Sequence, residues 1–172
     1  RTFQNIRLFP SLTCIENVMS GAHCHASHGL WSSILHLPGQ QKEERRILEL
    51  AAYRLHQVGL WEYRNELAKN LPYGKQKMLE IARALASSPK LLVLDEPSSG
   101  LNDAETEELM GLLTKLVAEG FTLLLIEHDM NVVMGISDTV TVMEMGTKVA
   151  EDLPHKIYNN PKVIEAYLGK EE

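Results

Sequence analysis

Two apolar runs constrain the fold of this chain more than anything else in it: LLVLD at 91–95 and FTLLLIE at 121–127. Neither alternates apolar with polar residues, and continuous runs of this length suit strands covered on both faces, as in parallel sheets. Between them Leu109, Leu112, Leu113 and Leu116 recur at helical spacing, with Asn102 or Asp103 as the cap and Gly120 ending the pattern. Strand, helix and strand in that order make a βαβ unit, whose crossover is right-handed in the great majority of cases. Strands joined in this way end at the same edge of the sheet, where α/β proteins place ligands. That edge receives Asp95 and Glu96 from the first strand and His128 from the second. One carboxylate there can hold magnesium, the next can orient a water, and an imidazole can donate to a phosphate oxygen. A strand ending in solvated acids beside a capping histidine accounts for the same residues, and the acidic pair alone does not decide between the two.

Ahead of this unit the sequence predicts helices. TCIE at 13–16 has capping-box spacing, so a helix starts there and runs through ENVMSGA. Residues 21–40 are rich in Gly, Ser and His and carry no period. From Gln41 onward Ile47, Leu50, Ala51, Leu55 and Val58 share a helical face, closed by Gly59. Another helix is predicted over 75–86, after LPYG, and Pro89 stops it. Beyond the second strand the order is a helix over 130–136, a strand over 139–144, a turn at Met145-Gly146 and a short return strand. Asn160-Pro161 is a cap followed by a first-turn proline, opening a last helix that ends at Gly169.

The bulk properties exclude several classes. A chain of 172 residues makes one sizeable domain. A net charge of −6 leaves no basic excess for a nucleic-acid footprint. No apolar run approaches the roughly 18 residues of a membrane span, and no signal-peptide pattern opens the chain. Cys14 and Cys24 match neither a CxxC pair nor a disulfide framework, which points to a reducing, cytosolic setting. His23, Cys24, His25 and His28 carry the donor types of a metal site, although a solvated variable segment is the simpler reading. Leu30, Trp31, Ile34 and Leu35 fit a docking face for a membrane subunit or a buried local cluster equally well.

A second constellation, LPYGKQKMLEIARALASSP, leads a glycine-containing turn into a helix N-terminus, where amides and dipole attract anions. By itself it is an ordinary helix start. Its own IARAL and closing proline lead on to LLVLDEP, SGLN and a strand ending in His128, and in that order the motifs resemble the ATP-binding-cassette ATPases. In that family the first stretch is the signature motif, LLVLDE the Walker B strand, SSGLND the D-loop and His128 the switch histidine; Gln4 in RTFQN matches the Q-loop glutamine. RTFQNIRLFPSLT, IEHDMNVVMGISD and NNPKVIEAYLG are most similar to the ATPase subunits of branched-chain amino-acid importers.

The resemblance implies an α/β fold: part of a P-loop NTPase core with a mainly parallel sheet, plus a helical subdomain. On it, residues 1–12 form the Q-loop and core edge, 13–88 the helical signature subdomain, 89–150 the second half of the core and 151–172 a helical extension. It implies two cassettes, identical or different, arranged head to tail around ATP and magnesium. Asp95 would hold the magnesium ion through its water shell, Glu96 would polarise the attacking water, and His128 would contact the γ-phosphate. Gln4 would sense magnesium and γ-phosphate and relay site occupancy. Tyr73, Gly74, Lys75 and Gln76 would face the ATP of the opposite subunit, while Ser99, Gly100, Leu101 and Asn102 would cross the dimer interface. The helical subdomain would meet transmembrane permease subunits at the cytoplasmic face of the membrane, with no role for nucleic acid. A soluble cassette without membrane partners and an interaction module without a P-loop stay open as alternatives.

Two departures from the family pattern stand out. Pro72 occupies the signature serine position and brings neither hydroxyl nor N–H. Losing one such bond to a charged group costs about 1.5–3 kcal/mol unless replaced. Tyr73 stands where the family's first glycine is common, and Lys75 adds a cation that could partly compensate. The larger departure is that G-x-x-x-x-G-K-[ST] occurs nowhere in these 172 residues. The expectation is a chain lacking the upstream part that carries this loop, which alone neither binds ATP tightly nor hydrolyses it. In the family the 121–127 strand lies between the Walker B and P-loop strands, so an open apolar edge should favour dimerisation, swapping or poor solubility.

Overall fold

The computed structural model describes residues 8–22 and 38–168. Gln4, the His23/Cys24/His25/His28 group and the 30–35 apolar stretch lie outside the described residues. The described chain divides between Ile126 and Glu127 into two units.

In the first unit, helix α1 (Cys14–Ala22) opens with the predicted capping box. The Thr13 N–H donates to Glu16 Oε2 at 2.7 Å, and the Glu16 N–H reaches back to Thr13 Oγ1 at 3.4 Å. Helix α2 (Pro38–Gln57) starts a few residues ahead of its apolar face and buries Ile47, Ala51 and Leu55. Helix α3 (Tyr73–Ala86) likewise begins two residues before the predicted 75, because Pro72 with ψ 152° supplies the break that precedes a helix. The three helices pack on one another. Asn17, fully buried, ties the entering chain to α1: its amide donates to the carbonyls of Phe9, Leu12 and Thr13, and its Oδ1 accepts from the Phe9 N–H.

Strand β1 (Leu91–Asp95), helix α4 (Asp103–Ala118) and strand β2 (Thr122–Ile126) realise the βαβ unit. The strands are parallel, in register from Leu91↔Thr122 to Asp95↔Ile126. Leu92 and Leu94, with Leu109, Leu113 and Leu116 of α4, are fully buried. Each such side chain contributes about 1.5–3 kcal/mol relative to exposure.

One expectation fails here. The two strands were to be covered on both faces, yet β2 alternates between half-buried and exposed residues. Leu91, Leu124 and Ile126 are 49%, 50% and 46% exposed. Side chains alternate across a strand, so Leu92 and Leu94 share a face with their partners Leu123 and Leu125, while Leu124 and Ile126 lie on the other. Among the described residues that second face is only half covered.

The second unit holds helix α5 (Met130–Ile136), the antiparallel pair β3 (Val140–Glu144) and β4 (Thr147–Asp152), and helices α6 (Pro154–Tyr158) and α7 (Pro161–Leu168). Its core is Val140, Ile157 and Val163, with Val133, Met134, Val142 and Ala150 packed around them. Helix α6 was not foreseen. It is a five-residue element whose one buried side chain, Ile157, is too little to show as a period. Among the described residues no helix is long and apolar enough to cross a membrane.

Candidate functional site

Strand β1 delivers Asp95 and Glu96, both half-buried, to the C-terminal edge of the parallel pair. The Glu96 N–H still donates to the Ile126 carbonyl at 2.8 Å, so the ladder extends one residue past the strand. Glu96 then takes a left-handed conformation, φ 46°. For a side-chain-bearing residue this costs about 1–2 kcal/mol, and such strain persists only where the surroundings impose it.

The turn after Glu96 is closely held. Ser99 N–H donates to Glu96 O at 3.2 Å and Leu101 N–H to Ser98 O at 3.0 Å. Lys77 reaches in from α3 and donates from Nζ to the carbonyls of Glu96, Pro97 and Ser99 at 3.2, 2.9 and 2.6 Å. Asn102 ends the turn and caps α4 in a full capping box with Glu105: Asn102 Oδ1 accepts from Glu105 N–H at 3.0 Å, and Glu105 Oε2 accepts from Asn102 N–H at 3.1 Å.

The start of α3 lies directly against this turn. A Cβ on Gly74 would stand 2.5 Å from Glu105 Oε1, and one on Gly100 would stand 3.0 Å from Tyr73 Cε1. The 73–77 helix start and the 96–102 turn are therefore brought together within one unit. Two side chains of the α3 start are already engaged there. Lys75 Nζ lies 3.7 Å from the centroid of the Tyr63 ring and donates to the Tyr63 hydroxyl. Gln76 Nε2 donates to the Leu71 carbonyl at 2.8 Å. Pro72, the residue before the helix, provides no side-chain cap, and Tyr73 is 45% exposed.

His128 belongs to the second unit, two residues beyond Ile126, the register partner of Asp95. Its N–H donates to Glu127 Oε2 at 3.3 Å, and the next residue, Asp129, caps α5 by accepting from Asn131 N–H at 2.8 Å.

The donor set at the β1 edge suits a hard cation bound with other oxygen ligands. Among the described residues no three His, Cys, Asp or Glu side chains converge on one point. A dedicated protein cage is thus missing from them, whereas magnesium takes one or two carboxylates and fills its sphere with water and phosphate oxygens. The Asp95–Glu96 pair fits that pattern.

Lys77, Tyr63 and Glu105 were not singled out from the sequence. No linear pattern marks Lys77, whose place in the buried Lys77–Ala82 run of α3 shows only in the fold. Glu105 could have been found as the third residue after Asn102, the spacing of a capping box.

Residues 1–99 match a family model described as ABC transporter, and residues 147–172 match one described as branched-chain amino acid ATP-binding cassette transporter. The chain is 44% identical over 171 residues to the high-affinity branched-chain amino acid transport ATP-binding protein BraF of Pseudomonas aeruginosa. It is 47% identical over 171 residues to LivG, a protein of the same description from Escherichia coli K12. Both alignments take in 99% of this chain and 67% of the relative. Among solved structures, the ADP conformation of MJ1267, an ATP-binding cassette of an ABC transporter, superposes with TM-score 0.79 at 31% identity, over 99% of this chain and 68% of that one. A dimeric post-hydrolysis state of the cassette MJ0796, bound to ADP and Pi, gives TM-score 0.70 at 26% identity, over 89% of this chain and 61% of that one.

Proposed function

The chain belongs to the ABC transporter family, and from that premise we propose that it serves in the ATP-hydrolysing subunit of a membrane importer for branched-chain or related amino acids. The observation that supports this reading is the packing of the 73–77 helix start against the 96–102 turn within one unit. The substrate class is taken from the relatives, whose similarity extends over nearly the whole chain.

In this reading Asp95 takes the magnesium ion, which when bound neutralises charge on the phosphates. Glu96 orients and polarises the attacking water. His128 and Gln4 meet the γ-phosphate side of the nucleotide. Tyr73, Gly74, Lys75 and Gln76 face the nucleotide of a second cassette subunit, and Ser99 to Asn102 lie along the contact between the two. Permease subunits meet the helical segment 13–88 at the cytoplasmic side of the membrane. The phosphate-wrapping motif does not occur within these 172 residues.

Uptake of labelled leucine, isoleucine and valine tests the proposal. Cells lacking the gene should lose uptake of at least one of the three, and the wild-type gene but not a Glu96→Gln copy should restore it. Uptake that is untouched by the deletion, or restored equally by both copies, would overturn it.

A further inference from the structure

We propose that Lys77 is a positioning residue for Glu96, resting on the reading of Glu96 given above. A lysine that is 7% exposed is costly to bury unless its three ammonium protons are met. Here the Glu96, Pro97 and Ser99 carbonyls take them, all within 3.2 Å. The first of these belongs to the residue that turns left-handed at φ 46°.

Glu96 is thereby held on both sides of its Cα. Its N–H is fixed by the Ile126 carbonyl of β2, and its carbonyl by the Lys77 ammonium from α3 together with the Ser99 N–H of the turn, whose own carbonyl Lys77 also holds. With both flanking peptides fixed, the direction of the Cα–Cβ bond is set, and with it where the carboxylate can reach. A left-handed glutamate would otherwise relax towards the common conformations. Lys77 also lies one helical turn beyond Tyr73, with Nζ 5.4 Å from that ring. A shift of the α3 start is thus passed to the backbone of Glu96 through the Lys77 side chain.

The test compares Lys77→Met, Lys77→Arg and Glu96→Gln in the intact nucleotide-hydrolysing subunit, by steady-state kinetics and peptide-level amide exchange. Lys77→Met should lower kcat at least tenfold with KM for ATP within twofold. Exchange should speed up in the 95–101 peptide but not in the α2 peptides. Lys77→Arg, which restores donors and charge, should recover at least a third of kcat. Should Lys77→Met fail to fold, Lys77→Gln, whose shorter, uncharged side chain has only two N–H donors for the three carbonyls, takes its place with the same expectation. Unchanged exchange at 95–101, kcat within twofold of wild type, or no recovery in Lys77→Arg would overturn the proposal. Retained turnover in Glu96→Gln would instead overturn the role of Glu96, and the catalytic part of this inference with it, while the exchange result judges the clamp itself.

Discussion

Gly74→Ala probes the closest approach between α3 and the head of α4. The added methyl would sit 2.5 Å from Glu105 Oε1 and 2.7 Å from Glu105 Cδ, so the carboxylate must swing away. It is the end of a flexible side chain, so the move is feasible, but it forfeits the bond from Asn102 N–H to Glu105 Oε2. Losing that half of the capping box costs about 1 kcal/mol. Against it, alanine in place of glycine on a helix contributes up to about 1 kcal/mol. The two effects nearly cancel, and Gly74→Ala alone should change unfolding free energy by only a few tenths of a kcal/mol. In a Glu105→Ala background the obstacle and the bond are both gone, so the same substitution should stabilise by about 1 kcal/mol. A double-mutant cycle by urea unfolding should then return a coupling energy near 1 kcal/mol. Effects that add to within about 0.3 kcal/mol would show that the Gly74–Glu105 contact does not link the two elements.

Asn17→Leu should cost up to about 4 kcal/mol in urea unfolding, since it removes four hydrogen bonds at roughly 1 kcal/mol each, one from the Phe9 N–H and three to carbonyls that keep a backbone donor; a loss under 1 kcal/mol would contradict this. Burial raises the Cys14 thiol from 9.0 to about 11. Between those values the unfolded thiol ionises while the folded one stays protonated, so stability should fall with rising pH by up to about 1.4 kcal/mol per pH unit. Unfolding free energies at pH 8 and 10, compared with Cys14→Val, check the sign: the variant should fall less steeply. Pro72→Ser should raise ATP turnover only modestly, because Pro72 leaves the helix start intact. A gain above about a hundredfold, worth ~2.7 kcal/mol of barrier, would show that the serine position matters far more.

Much of this fold was legible because its signals are local. The Thr13–Glu16 box, the Asn102 cap, the Leu109–Leu116 spacing and the Met145-Gly146 turn each state their own conformation, and the structure agrees with them. The pairing of β1 with β2 was legible from two apolar runs separated by a helix. Coverage of β2 was not, since an apolar run records a face to be buried without saying what buries it. At the site the acidic pair and its edge could be placed from the strand alone. The grip of Lys77 on three carbonyls could not, because it depends on how α3 crosses a turn some twenty residues away. The sequence suggested Lys75 as a compensating cation, whereas its ammonium lies on Tyr63, a contact that no linear pattern announces.

Glu96, as the group that activates water, is central to the proposed activity. Its most direct test is single-turnover ATP hydrolysis by the intact subunit carrying Glu96→Gln, with nucleotide binding measured in parallel. Hydrolysis should slow by a factor on the order of 100 or more, with ATP affinity within threefold of wild type. Hydrolysis within threefold of wild type, with binding likewise intact, would contradict that role.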